Sequence, residues 1–197
     1  MVIQKDQLYH IYNQGNSREL IFKESNDYSE FIRRFENRVG SYCQVVSFCL
    51  MPNHFHFLVN TRYKSVLPVQ LGTVESTQLA NGFRLLCSGY ANNFNKKYGR
   101  SGSLFRQKTK AKELGIKDRN YPFYCFQYIH QNPLKAGLCQ KMEDWKFSSF
   151  KDYCKPLTNL FLAKDLAFDL IGVSKENFYV ESYQIIEDYK VRKVFEE

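Results

Sequence analysis

Two histidines one residue apart lie in the stretch Met51-Pro52-Asn53-His54-Phe55-His56-Phe57-Leu58-Val59. Side chains on a strand alternate between faces. His54 and His56 therefore project to one side, and Phe55, Phe57 and Val59 to the other, the presumed core. Two imidazoles side by side make a bidentate site for a divalent metal. A strand histidine is also often a satisfied structural group, so spacing alone leaves both readings open. About 70 residues downstream comes Gln127-Tyr128-Ile129-His130-Gln131-Asn132-Pro133. On a helix Tyr128 and Asn132, at i and i+4, share a face. Tyr121 and Tyr124 continue that stripe, which by itself suits a plain packing face and a capping Asn equally well.

The elements that must position these residues are legible in outline. Leu8 to Asn13 alternates as a first strand, followed by the turn residues Gly15 and Asn16. Ser25 caps a helix whose stripe is Tyr28, Phe31, Ile32, Phe35 and Val39, stopped at Gly40. Cys43–Leu50 and His54–Asn60 read as a hairpin turning at Met51-Pro52-Asn53. Leu79, Phe83, Leu86, Tyr90 and Phe94 predict a helix over Val74–Lys97, against which Gly82 and Gly89 count. A strand-like stretch follows from Leu104 to Lys112. The next helix begins near Asp118 or Asn120, tolerates Pro122 in its first turn, and is expected to end near Asn132, before Pro133. Lys155–Asn159 reads as a linker, and Leu160–Glu197 as two short helices. The order predicts an α+β fold: a ferredoxin-like antiparallel sheet with helices mainly on one face. The expected organisation is one domain over residues 1–154 and a helical extension over 155–197.

The composition narrows the partners. The 197 residues are 44% hydrophobic and 24% charged, with a net charge of +8. That excess favours a polyanion. It is concentrated among Lys96, Lys97, Arg100, Arg106, Lys108, Lys110, Lys112, Lys117 and Arg119, interleaved with Phe94, Tyr98, Leu104 and Phe105. A charge run is often just a solvated face, but cations beside aromatics suit unpaired nucleic acid, whose phosphates are neutralised while bases stack. Residues 155–197 are net acidic, which argues against a large DNA footprint there. No apolar run is long enough to span a membrane, and the N-terminus lacks a signal-peptide core. The six cysteines show no C-x-x-C spacing. They read as scattered reduced thiols in a cytoplasmic protein. No G-x-x-x-x-G-K-[ST] loop is present, so no nucleotide-phosphate site is expected.

Taken together, the motifs resemble the HUH endonucleases, and more closely the single-tyrosine transposases, in particular the REP-associated branch. The matching stretches are Tyr9-His10-Ile11-Tyr12-Asn13-Gln14-Gly15-Asn16, the histidine hairpin, Phe94 to Phe105, Tyr128 to Leu138, and Trp145-Lys146-Phe147-Ser148-Ser149-Phe150. They run in order from about Tyr9 to Tyr153.

The resemblance implies a role for each residue. His54 and His56 hold a divalent metal, Mg²⁺ or Mn²⁺, and Tyr128 is the nucleophile, with Tyr124 its rival one turn earlier. Asn132 stands where the insertion-sequence branch has a Gln that completes the metal site. The implied activity is cleavage and rejoining of single-stranded or hairpin DNA through a 5′-phosphotyrosine. A single tyrosine per chain makes a homodimer one way to complete a strand exchange. Lys96, Lys97, Arg100, Arg106, Lys108 and Lys110 are the expected phosphate contacts. If they neutralise about six phosphates, log K should fall with log salt at a slope of about −4. His10 reads as structural, and His130, about 200° around the helix from Tyr128, as off the metal face. The competing readings are a replication-initiator or relaxase nickase, a non-catalytic nucleic-acid-binding module, and a metal-dependent hydrolase that uses water and forms no adduct.

Overall fold

The computed structural model describes residues 1–114, 120–154, 161–184 and 186. Lys117, Arg119, the expected linker and the chain beyond 186 lie outside them. The elements are β1 (Leu8–Gln14), α1 (Ser25–Arg38), β2 (Cys43–Met51), β3 (His54–Thr61), α2 (Tyr63–Val66), β4 (Pro68–Leu71), β5 (Val74–Thr77), α3 (Gln78–Tyr98), β6 (Lys110–Glu113), α4 (Tyr121–Lys135), α5 (Phe150–Tyr153), α6 (Lys164–Ile171) and α7 (Phe178–Ser182). Four strands form one sheet in the order β2-β3-β1-β6, and β4-β5 is a separate hairpin. Each neighbouring pair in the large sheet is antiparallel. The run β1-α1-β2-β3-α3-β6 with this order is the ferredoxin-like arrangement that the sequence order predicts.

The two faces of β3 have different neighbours. Phe57 stacks on Phe35 of α1 at 4.1 Å and meets Phe83 of α3 at 5.9 Å. Phe55 meets Phe31 of α1 at 5.2 Å. The two longest-reaching elements of this layer, α1 and α3, thus lie on one face, as expected. The helix α4 covers the other. That face carries Leu8, Leu58 and Cys49, all buried, and an apolar face must be covered against water.

Gly82 is explained by the α1–α3 crossing. A Cβ there would lie 2.5 Å from the Arg38 carbonyl oxygen, whereas at Gly89 it would meet only the Arg34 guanidinium end at 2.7 Å. Backbone does not move aside cheaply; a side-chain tip does. Gly82→Ala is therefore expected to cost about 2 kcal/mol, as overpacking does. Gly89→Ala should change stability by less than about 1 kcal/mol, because the gain in helix propensity offsets the displaced tip. Urea unfolding of the two variants checks the contrast.

The strand-like stretch Leu104–Lys112 forms a strand only as β6, Lys110–Glu113, and α1 is capped by Glu24, with Ser25 its first helical residue. Two further boundaries differ from the sequence reading. Val74–Thr77 is strand β5, turned from β4 at Gly72, whose φ is +61°. The β-branched Val74 and Thr77 favour that conformation, and α3 starts only after Thr77, whose Oγ1 accepts from the Ala80 N–H at 3.3 Å. At the other boundary α4 runs through Pro133 to Lys135. Proline removes one donor, but Ala136 N–H still reaches Asn132 O and Leu138 N–H reaches Pro133 O, so the last turn closes. Among the described residues no cysteine forms a disulfide, and four of the six are buried. Among the described residues no helix is long and apolar enough to cross a membrane.

Candidate active site

Register decides which side chains meet. In the β1–β3 ladder Tyr12 lies opposite His56 and Gln14 opposite His54, and in the β1–β6 ladder Lys110 lies opposite Tyr12 and Lys112 opposite His10. Residues directly opposite share a face, so His10, Tyr12, His54, His56, Lys110 and Lys112 all belong to the face that α4 covers. The rings of His54 and His56 meet edge to face at 4.8 Å. His10 stacks on Tyr12 at 4.6 Å and on His56 at 5.0 Å.

The helix α4 brings the phenol to this cluster. Tyr128 sets its ring edge-to-face on His56 at 5.5 Å. The Asn132 amide, one turn on, lies close enough to both the His54 imidazole and the Tyr128 phenol to bias their protonation. Its Nδ2 also donates to the Tyr128 carbonyl at 3.2 Å. The structure thus gathers Tyr128, His54, His56 and Asn132 in one place. The placement of α4 is set from behind. His130 Nε2 contacts Ser149 Oγ at 2.7 Å, and Ser149 in turn pairs with the Phe48 backbone of β2. His130 lies among Phe126, Phe150 and Tyr153, away from the other imidazoles. On the outer flank of α4, Gln131 Nε2 donates to the carbonyls of Ser182 and Gln184, at 2.8 and 2.9 Å, and Gln127 reaches Ser182 Oγ at 3.3 Å.

Burial controls the protonation of the cluster. It pushes His54 down to about 4, with Asn132 opposing, and His10 down to about 3, with the Lys112 ammonium adding to the effect. His56 falls well below the usual imidazole value through burial and its two histidine neighbours. At neutral pH all three rings are uncharged, the form that binds metal. Burial likewise raises the Tyr128 phenol, and Asn132 opposes it. The resting phenol is therefore protonated and a poor nucleophile without activation.

The donors fit a divalent cation. His56 Nε2 is buried and has no hydrogen-bond partner. A buried polar atom without a partner is costly, and a lone pair there is satisfied by a metal ion. With His54 and the Asn132 amide oxygen the set comprises two nitrogens and one oxygen. It leaves coordination open for phosphate oxygens. Among the described residues no group of three or more His, Cys, Asp or Glu side chains offers a metal site instead.

The cations divide into two groups. Lys97 pairs with Asp27 and Glu24, each at 2.6 Å, and Arg100 pairs with Glu19 at 2.6 Å. Burial pushes the Asp27 carboxyl up, but hydrogen bonds from Lys97, the Lys23 and Glu24 backbones and Tyr98 outweigh it and keep it ionised. Lys96 lies in a different groove, beside Asp27 and Glu30. Arg106 and Lys108 line a groove of about 740 Å³ with Asn13, Arg84 and Asn95, between α3 and the segment before β6. Asn13 Nδ2 holds that segment through Arg106 O and Thr109 Oγ1. From there the basic run passes around edge strand β6 to Lys110 and Lys112 on the imidazole face.

Sequence reasoning missed the placing of His10, Tyr12 and Lys112 on the imidazole face, though it counted Lys112 in the basic run, and it missed Arg84 altogether. The signal for the first three was present: alternation places them on one face, and the ferredoxin-like strand order sets β1 between β3 and β6.

No family model and no curated protein matches the chain. Among solved structures it is similar to a REP-associated tyrosine transposase bound to a REP hairpin, with a TM-score of 0.56 and 16% identity, over 84% of this chain and 90% of that one. The chain has the α+β fold of a tyrosine transposase, with a four-stranded antiparallel sheet.

Proposed function

We propose that the protein is a metal-dependent transposase or endonuclease acting on single-stranded DNA at hairpin or repeat sequences, cleaving and rejoining through a 5′-phosphotyrosine. The observation that supports this best is the packing of the Tyr128 phenol edge-to-face on His56, beside His54. The solved neighbour, bound to a REP hairpin, has the same fold.

In this reading Tyr128 Oη bonds to phosphorus and the bond from phosphorus to the 3′ oxygen breaks. The phenol loses its proton and the departing 3′ oxygen gains one. The covalent intermediate keeps the phosphodiester's energy, so rejoining needs no nucleotide cofactor. His54, His56 and Asn132 would hold Mg²⁺ or Mn²⁺, which when bound polarises a phosphate oxygen and stabilises developing charge. Asn132 orients the phenol. Lys110 draws the strand to the imidazole face. Each chain carries one such phenol, so a full exchange needs a second protomer or a second strand's 3′-hydroxyl.

The test is incubation with Mn²⁺ and labelled single strands bearing hairpins, followed by denaturing electrophoresis. A protein–DNA adduct supports the reading. Metal-dependent cutting with no adduct replaces it with a water-using hydrolase, and binding without cutting across a broad substrate library reduces it to a binding module.

The internal pairing of Lys97 and Arg100 also changes the expected salt dependence. With Arg84, Arg106, Lys108 and Lys110 as the phosphate set, about four phosphates are neutralised, and the slope of log K on log salt should be about −3 and not −4. Lys108→Ala should make that slope shallower by about 0.7. Lys97→Ala should leave it unchanged and lower the melting temperature. Binding titrations at several salt concentrations separate the two.

A further inference from the structure

We propose that His10 is a positioning residue for the metal site. Its Nε2 accepts the Nδ1 proton of His56 and so fixes His56 in the tautomer whose Nε2 carries the lone pair. The inference rests on the metal-dependent reading given above.

The geometry begins with one short contact. His10 Nε2 and His56 Nδ1 are 2.9 Å apart, and both rings are buried, at 0% and 5% exposure. His10 has little freedom to turn away, because Tyr12 stacks on it with an interplanar angle of 17°. A hydrogen bond between two neutral imidazoles holds one proton, so two arrangements exist. If His10 donates, His56 carries its own proton on Nε2. In either arrangement one buried N–H faces no hydrogen-bond acceptor: on His56 Nε2 if His10 donates, on His10 Nδ1 if His56 donates. Only when His56 donates does its Nε2 present a lone pair, which a cation satisfies, so the metal reading selects that arrangement.

The neighbouring ring favours the second arrangement. His54 Nδ1 lies 2.6 Å from Asn53 Oδ1, an atom that only accepts, so His54 carries its proton on Nδ1. The Asn53 amide is oriented by its Nδ2, which faces the Arg18 carbonyl at 3.5 Å. Two imidazoles two residues apart thus each find an acceptor for Nδ1–H, one an amide oxygen and the other a histidine. Each keeps Nε2 unprotonated. A partner at the far nitrogen of a metal-binding imidazole orients the ring and raises its basicity, and losing such a partner lowers metal affinity by about 10- to 100-fold.

The test uses the full chain without DNA. Mn²⁺ binding is read from the loss of the free-ion electron paramagnetic resonance signal, and the His56 tautomer from imidazole ¹⁵N shifts. Wild type should show protonated Nδ1 and bare Nε2 on His56. His10→Phe should weaken Mn²⁺ binding by about 10- to 100-fold, and His10→Gln, whose amide oxygen can accept the same proton, should restore most of it. Thermal melts establish that each variant is folded. A His10→Phe protein that binds Mn²⁺ like wild type overturns the proposal, as does an Nε2–H tautomer in wild type, which needs no variant to fold. If instead wild type binds Mn²⁺ no better than His56→Ala, the metal reading itself fails and takes the role of His10 with it. The tautomer spectrum distinguishes that failure from the first.

Discussion

Tyr128→Phe is expected to abolish the covalent protein–DNA adduct. The substitution removes one oxygen and keeps the ring that packs edge-to-face on His56 at 5.5 Å. The fold and the DNA affinity should both survive. What is lost is the oxygen proposed to bond to phosphorus, and loss of a nucleophile costs about four orders of magnitude or more in rate. Tyr124→Phe, one turn earlier, should retain the adduct. Denaturing gels with labelled hairpin strands measure both. An adduct that persists in Tyr128→Phe and disappears in Tyr124→Phe would move the nucleophile one turn along α4. Persistence in both would remove α4 from the chemistry.

The second large effect is expected at His56. Its Nε2 is buried without a partner, and its ring touches Tyr128, His54 and His10. His56→Ala should cut adduct formation by about 10²- to 10³-fold, the scale of losing several kcal/mol of charge stabilisation. Binding of the DNA hairpin should change far less, because the cations at Arg106 and Lys108 lie in the groove beside α3. Chelation of wild type should reproduce the loss, and added Mn²⁺ should reverse it. The same addition should not rescue His56→Ala. Full activity of wild type in chelator would show that the histidines have a purely structural role.

Much of the sheet was legible because its signals are local. Alternation around Ile11 and Phe57 and the Pro52-Asn53 turn define strands without knowledge of the rest of the chain. The pairing of His54 and His56 follows from the same alternation. Their proximity to Tyr128 does not follow from spacing, since it depends on α4 crossing to the face opposite α1 and α3. That crossing is fixed by Ser149 against Phe48 and His130, contacts between residues far apart in the chain. The role of His10 was hidden for a related reason. A lone strand histidine gains meaning only from its cross-strand neighbour, and that neighbour is set by strand order. The charge run is not uniform. Lys97 and Arg100 have the same composition signal as Lys108, yet acidic residues from distant segments pair with them.

The open edge of the sheet bears on how two copies can meet. Strand β6 pairs with β1 on one side, and the main-chain groups on its other side have no strand partner among the described residues. Such an edge invites a second molecule to extend the sheet, but here Lys110 and Lys112 guard it. Two copies joined along β6 would crowd four ammonium groups with no phosphate between them, and lysines on an edge oppose that kind of self-association. The side chains that would attract a polyanion thus also discourage fibre-like stacking. A two-protomer assembly along this edge is therefore disfavoured.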